Sequence, residues 1–241
     1  MTYHPKGKYC VVIPALNAAR TVGELVQQAR RHGFDVIVVN DGSSDRTAAI
    51  ASEHQALVIS HLRNKGKGAA LRTAFEHVFR SAYDGVITMD GDGQHDPAEI
   101  ISLVQVGELQ HAGIALGNRL TDGSPMPHVR RWTNQWMSAI VSIVARQPIP
   151  DSQCGFRFIR KEVLNDVLLQ SDRFEIETEL LCRAAARRWK IISIPVRSIY
   201  HNEHSHIRPL QDTVRFFRIL LWIVMLQPSL HSTQPLDRSQ S

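Results

Sequence analysis

Cysteine is scarce: Cys10, Cys154 and Cys182 are the only ones in 241 residues. They are odd in number, far apart and not spaced as zinc ligands. Neither a disulfide framework nor a zinc site is expected, and a reducing cytosol is the expected setting. Long hydrophobic runs are lacking too. Met1 to Lys8 holds no apolar signal-peptide core. The apolar stretch Ile219 to Leu226 falls far short of the roughly 20 residues that a spanning helix needs. No internal repeat is visible, and no G-x-x-x-x-G-K-[ST] loop, which disfavours a P-loop NTPase. The charge excess is small, 28 Lys and Arg against 23 Asp and Glu for a formal +5. The basic residues are scattered, so nucleic acid is not an expected partner. The mild excess suits phosphate-rich ligands or an anionic membrane surface.

What is present is an alternation of strand-like and helix-like segments. Strands are expected at 9–13, 35–39, 57–60, 85–89, 114–116 and 191–196. Helices are expected at 21–31, 45–54, 68–82, 97–110, 132–146, 161–169 and 175–188. The near-continuous apolar run of Asp35 to Val39 fits a strand covered on both faces. Repeated strand–helix units predict an α/β fold with a mostly parallel sheet flanked by helices. Its ligand crevice would lie at the carboxyl ends of the strands.

Those strand ends carry the polar residues. Pro14-Ala15-Leu16-Asn17 follows the first strand and Asn40-Asp41-Gly42-Ser43-Ser44-Asp45 the second. Asp41 suits a base or ribose, because a carboxylate accepts from ring N–H and hydroxyl groups; plain turn chemistry is the competing reading. Asp45 reads as a helix cap. Arg63-Asn64-Lys65-Gly66-Lys67-Gly68 is a basic, glycine-rich loop at a helix start, suited to an anion or simply solvated. Met89-Asp90-Gly91-Asp92-Gly93-Gln94-His95 is the most informative stretch. It delivers two aspartates and a glutamine into one turn, and hard divalent cations such as Mg²⁺ take oxygen ligands of this kind. Glu175, Glu177 and Glu179 alternate at a helix start, where they favour the macrodipole; Glu177 or Glu179 would also reach the cleft. Trp132, Trp136 and Met137 have helical spacing and read as core or as a groove wall.

Taken in order, these elements resemble the family 2 glycosyltransferases of the GT-A fold, especially their dolichyl-phosphate mannosyltransferase-like, polyprenyl-phosphate branch. Val12 to Asn17, Asn40 to Asp45, Asn64 to Ala69, Asp90 to His95 and Gly117-Asn118-Arg119 carry the likeness. Asp151-Ser152-Gln153-Cys154-Gly155-Phe156-Arg157 is the most branch-specific segment. The likeness runs from about Tyr9 to Val196. It implies a nucleotide-sugar donor (a UDP- or GDP-sugar), Mg²⁺ or Mn²⁺, and a lipid-phosphate acceptor.

The resemblance also implies roles. Asp41 would hold the nucleoside, helped by Pro14, Ala15 and Asn17, with Lys67 and Asp90 completing the nucleotide site. Asp90, Asp92 and Gln94 would hold the metal on the diphosphate. Arg119, with Arg130 and Arg131, would grip the acceptor phosphate, since arginine's planar fork suits its oxygens. Gln153, Ser205, His206 and Arg208 would complete the acceptor site, and Asp92, Arg119 and Arg131 are the expected catalytic residues. A phosphate oxygen is already anionic, so such an acceptor needs no strong general base, and direct displacement would invert the anomeric centre. Ala18 stands where the family often has glutamate, and Asn40 replaces the first of two adjacent aspartates. Tyr200 to Arg208 stands where the branch usually shows Arg and Lys around a Gly-x-Ser turn.

The expected organisation is a GT-A domain over 1–209, an amphipathic helix over 210–228 and a disordered tail over 229–241. Arg215 and Arg218 bracket the apolar face of that helix. It suits a bilayer interface, or equally a protein surface or a homo-oligomer contact. The leading expectation is a metal-dependent inverting glycosyltransferase, peripheral on the cytosolic membrane face. The alternatives are a hydroxyl acceptor on a glycan or lipid, a sugar nucleotidyltransferase and a non-catalytic binding protein.

Overall fold

The structure, a computed structural model, describes residues 3–120 and 126–199. Strands β1 (Tyr9–Ala15), β2 (Asp35–Asn40), β3 (Leu57–Ser60), β4 (Gly85–Thr88), β5 (Ile114–Asn118), β6 (Arg157–Arg160) and β7 (Ile191–Pro195) form one seven-stranded sheet. Their order is β3-β2-β1-β4-β6-β5-β7. Every pairing is parallel except those of β6, which runs antiparallel to both β4 and β5. The helices are α1 (Val22–Arg31), α2 (Thr47–Glu53), α3 (Lys67–Phe79), α4 (Ile100–Leu109), α5 (His128–Ala145), α6 (Lys161–Asp166) and α7 (Ile176–Ala186).

The expected burial of the second strand on both faces holds. Val36, Ile37, Val38 and Val39 of β2 point alternately to opposite faces and are all buried. Both α1 and α3 pack on β2. In α1, Val22, Leu25, Val26 and Ala29 form the buried face, while Glu24 in the first turn and Arg30 and Arg31 in the last complement the helix dipole. The chain then turns at Gly33, whose φ of +86° is left-handed backbone that glycine adopts without strain, and enters β2.

Several boundaries differ from the sequence expectation. The helix expected from 45 begins at Thr47, because Asp45 turns back to accept from the Thr47 N–H at 2.9 Å. The helix expected through 169 stops at Asp166, and the chain continues extended at Val167. β6 was not expected. Its Arg157-Phe158-Ile159-Arg160 sequence lacks period-2 alternation, since Arg157, Phe158 and Ile159 are all buried.

The connectivity positions the site. The chain leaves β1 for β2 and β3 on one side, then returns through α3 to β4 on the other side of β1. In open α/β sheets such a reversal opens a crevice over the carboxyl ends of the two strands, here between Ala15 and Thr88.

Candidate active site

The ends of β1 and β2 are stitched together by their turn residues. Asn17, at φ +52°, accepts from the Ser44 N–H at 2.9 Å, and its own N–H donates to Ser43 Oγ at 2.9 Å. The Ala18 N–H donates to Thr47 Oγ1 at 2.8 Å. Pro14 and Ala15 form the floor as the last residues of β1, and the Asp41 N–H donates to the Ala15 carbonyl at 2.8 Å.

Asp41 is buried beside this floor. Its Oδ1 accepts from the Lys65 N–H at 2.9 Å and lies 2.7 Å from His61 Nδ1, while Oδ2 accepts from the Gly66 N–H at 2.8 Å. It therefore organises the basic loop 63–68 from below. His61, which reaches Thr73 Oγ1 at 2.9 Å on its other nitrogen, completes that support. The sequence reading missed His61, which stands just past β3 with no local signal.

The acidic turn follows β4. Asp90 has a side chain 23% exposed, and Lys67 Nζ reaches its Oδ1 at 2.5 Å and Glu177 Oε1 at 2.8 Å. Burial opposes the charge on Asp90, but Lys67 and then His95 outweigh it and hold the carboxyl well below the usual range. Burial likewise opposes the Lys67 ammonium, and Asp90 and Glu177 outweigh it. Gly155 touches this pair from the other side, since a Cβ there would lie 2.6 Å from Asp90 Oδ2. Asp92 behaves differently. Burial and the negative charge of Asp90 push its carboxyl up, although it accepts from the Gln94 N–H at 3.0 Å. His95 is buried and stacked on Phe156 with ring centroids 5.2 Å apart.

These residues fit a divalent cation. Two carboxylates crowd one turn, where burial and the charge of Asp90 oppose ionisation of Asp92. No group of three His, Cys, Asp or Glu that would hold an ion by itself occurs among the described residues. The protein would then supply part of the shell through Asp90, Asp92 and Gln94 and leave positions for phosphate oxygens, as Mg²⁺ sites with nucleotides usually do.

The residues expected to bind an acceptor carry more surprises. Arg119 directs Nε to Asp151 Oδ2 at 2.8 Å and Nη2 to Oδ1 at 2.9 Å, and its N–H also donates to Asp151 at 3.1 Å. That fork, expected on an acceptor phosphate, therefore engages a buried carboxylate. Arg131 donates from Nη2 to the Leu120 carbonyl at 2.7 Å, and Arg130 is half-buried on α5. Gln153 is half-buried and donates to Ser152 Oγ at 3.2 Å. Arg157, fully buried, donates to the carbonyls of Cys154, Glu177 and Ser152 and ties this loop to α7. Its location in a strand was not legible. Glu177 faces the site through Lys67, whereas Glu179 accepts from the Gln170 and Ser171 N–H groups and from Arg183. Trp132 and Trp136 form neither core nor a closed wall. They are 63% and 58% exposed and paired at 5.8 Å, because the buried face of α5 runs through Asn134, Ser138 and Val141 instead. Ser205, His206, Arg208 and the segment 210–228, expected as a helix, lie outside the described residues, as does most of the stretch from Asp122 to Pro127. A separate hollow of about 600 Å³ beside α3, lined by Phe75, Leu168 and Arg187 among others, contains none of the expected site residues.

A mostly parallel sheet with helices on its faces and an acidic turn at its switch point is a doubly wound α/β architecture with a ligand crevice over its strand ends. Residues 10–168 match the model of glycosyl transferase family 2, and the chain belongs to that family. It is a glycosyltransferase with the GT-A fold. A UDP-N-acetylglucosamine–dolichyl-phosphate N-acetylglucosaminyltransferase of Methanococcus voltae is 27% identical over 90% of this chain and 95% of its own length. A polyprenol monophosphomannose synthase of Mycolicibacterium smegmatis is 27% identical over 81% of this chain and 78% of its own. The crystal structure of glucosyl-3-phosphoglycerate synthase from Mycobacterium tuberculosis, in complex with Mn²⁺, UDP and phosphoglyceric acid, superposes with a TM-score of 0.68 at 20% identity. That alignment covers 92% of this chain and 78% of the synthase.

Proposed function

We propose that the chain transfers a sugar from a UDP- or GDP-sugar to a polyprenyl phosphate, with inversion at the anomeric carbon. The observation that carries this reading is the acidic turn, Asp90 to Gln94, standing beside Lys67 at the crevice between β1 and β4. The names of the lipid-phosphate-using relatives support the acceptor class. Pro14, Ala15, Asn17 and Asp41 shape the floor for the nucleoside, and Asp41 also fixes the loop that presents Lys67 to the diphosphate. Mg²⁺ or Mn²⁺ held by Asp90, Asp92 and Gln94 would neutralise charge on the departing nucleoside diphosphate. Arg130 and Arg131 meet the acceptor phosphate, and Arg119, whose charge Asp151 balances, fixes the backbone next to the Leu120 carbonyl that holds Arg131. Gln153 lies on the same side, and Ser205, His206 and Arg208 belong to this acceptor site as well. The attacking phosphate oxygen is anionic at neutral pH, so no side chain has to remove a proton.

A lipid acceptor is met at a bilayer surface, which makes peripheral membrane contact part of the same reading. Among the described residues no helix is long and apolar enough to cross a membrane. The segment 210–228 is one candidate contact. The exposed Trp132 and Trp136 beside Arg130 and Arg131 suit the same surface.

The test is transfer of labelled sugar from a panel of UDP- and GDP-sugars into polyprenyl phosphate in membranes, with Mn²⁺ or Mg²⁺. Metal-dependent label in the lipid supports the reading and identifies the donor. Donor hydrolysis without lipid label keeps the donor site but moves the acceptor to a hydroxyl group. No turnover and no metal-dependent nucleotide binding would sink the assignment.

A further inference from the structure

Lys67 cannot easily leave the site by moving its backbone. Gly66 precedes it at φ +102°, and a Cβ there would lie 2.4 Å from the Asp172 carbonyl oxygen. A Cβ at Gly68 would lie 2.6 Å from the Ser171 carbonyl oxygen, and the Ala69 N–H donates to Asp172 at 3.0 Å. The first turn of α3 is thus pressed against the backbone of 171–172. The ammonium is left between Asp90 Oδ1 at 2.5 Å and Glu177 Oε1 at 2.8 Å, with the Phe174 ring centroid 5.7 Å away.

An ammonium that contacts a metal-ligand carboxylate competes with the metal for it. We infer that Lys67 is a resident counter-cation, parked on Asp90 by Glu177, which keeps the divalent ion weakly bound until a nucleoside diphosphate arrives. The inference rests on the metal site proposed above. The phosphates offer Lys67 an alternative anion, and its flexible four-carbon stem lets the charge swing to them while its backbone stays fixed. Asp90 is then released to the incoming cation. Metal and nucleotide consequently bind as a coupled pair, each tightening the other by the same factor. Glu177 acts through Lys67 and is a positioning residue.

The test is titration with Mn²⁺ alone, read by the electron paramagnetic resonance of free Mn²⁺, then with UDP or GDP present and corrected for Mn²⁺ held by the nucleotide itself. Wild-type protein should bind Mn²⁺ weakly alone and much more tightly with nucleotide. Lys67→Met should bind Mn²⁺ alone at least about tenfold more tightly than wild type, because a positive charge in contact with the ligand is gone. Its nucleotide-dependent gain should shrink in proportion. The double variant Lys67→Met/Glu177→Gln keeps the wild-type net charge and leaves no unpaired Glu177, so it carries the test if the single variant does not fold. It too should bind Mn²⁺ alone more tightly than wild type. Variants that bind Mn²⁺ alone no better than wild type, while wild type binds it with nucleotide, overturn this inference and spare the metal site. Wild-type protein that binds no Mn²⁺ even with nucleotide removes both.

Discussion

Asp90 and Asp151 are both largely enclosed aspartates, each paired with a basic side chain, yet the two pairs are built differently. Asp90 keeps 23% of its side chain exposed and faces Lys67, a compact charge on a flexible stem that is shared with Glu177. Asp151 is wholly buried and receives both arms of the Arg119 fork together with the Arg119 backbone N–H. A point charge can be exchanged for another cation at modest cost. A bidentate, fully desolvated pair cannot, because removing one partner strands the other without water. The proposed donor half therefore holds a charge that another cation can replace, whereas the proposed acceptor half ties its most recognisable arginine into architecture.

The largest effect that would sharpen this contrast is on the donor side. Asp92→Asn should lower metal-dependent sugar transfer by about a thousandfold, the scale on which transition-state charge stabilisation is lost. Stability should change little, because among the described residues Asp92 accepts a hydrogen bond only from the neighbouring Gln94 N–H. Thermal unfolding run beside the transfer assay checks both halves of that statement. On the acceptor side the balance should reverse. Asp151→Ala leaves the Arg119 guanidinium buried and should cost about 3–5 kcal/mol of stability, measured by denaturant unfolding. If Asp151→Ala unfolded like wild type while transfer alone was lost, the pair would be catalytic equipment and the contrast would break.

The same contrast explains what was legible in the sequence. The parallel strands with their flanking helices were readable because apolar runs and helical spacing are local. The acidic turn was readable because Asp90, Asp92 and Gln94 lie within five consecutive residues, 90–94. Lys67 was expected to meet phosphate, but its contacts with Asp90 and Glu177 join α3, the turn after β4 and α7, which are far apart in sequence. The Arg119–Asp151 pair was equally hidden. Arginine beside a presumed phosphate site reads as a ligand, and only three-dimensional proximity reveals a carboxylate that has already claimed it. His61 under Asp41 and the carbonyl-bound Arg157 show the same limit. Strand β6 was missed because burial of three successive residues erased its alternation, and because it runs antiparallel, outside the repeated strand–helix pattern.

A smaller perturbation tests whether the two halves are mechanically joined. Gly155 belongs to the acceptor-side loop, yet a Cβ on it would come within 2.6 and 2.7 Å of the two Asp90 carboxylate oxygens. Gly155→Ala should displace that carboxylate and weaken Mn²⁺ binding in the presence of nucleotide by about tenfold, comparable to losing a contact that orients a metal ligand. A variant with unchanged Mn²⁺ affinity would show that Asp90 shifts freely, and the halves would then be independent.

The smallest expected effect concerns acid. Burial opposes ionisation of Asp151, but the hydrogen bonds and charge of Arg119 outweigh it and hold its carboxyl below the usual range. An unfolded chain would restore that group to about 3.9. Above that value both states are ionised and the pair contributes fully. As pH falls below it, the unfolded chain takes up the proton first, so stability declines until the depressed native value is passed. Asp151→Asn has no proton to take up and keeps a carbonyl to accept from Arg119, so it should be less stable than wild type near neutrality. Other carboxylates titrate alike in both proteins and cancel in the comparison. The gap between the two unfolding free energies should therefore narrow as pH drops below about 4. Urea titrations at matched pH values would measure it. A gap constant over that range would mean that the fork, and not the charge, is what Asp151 contributes to the acceptor half.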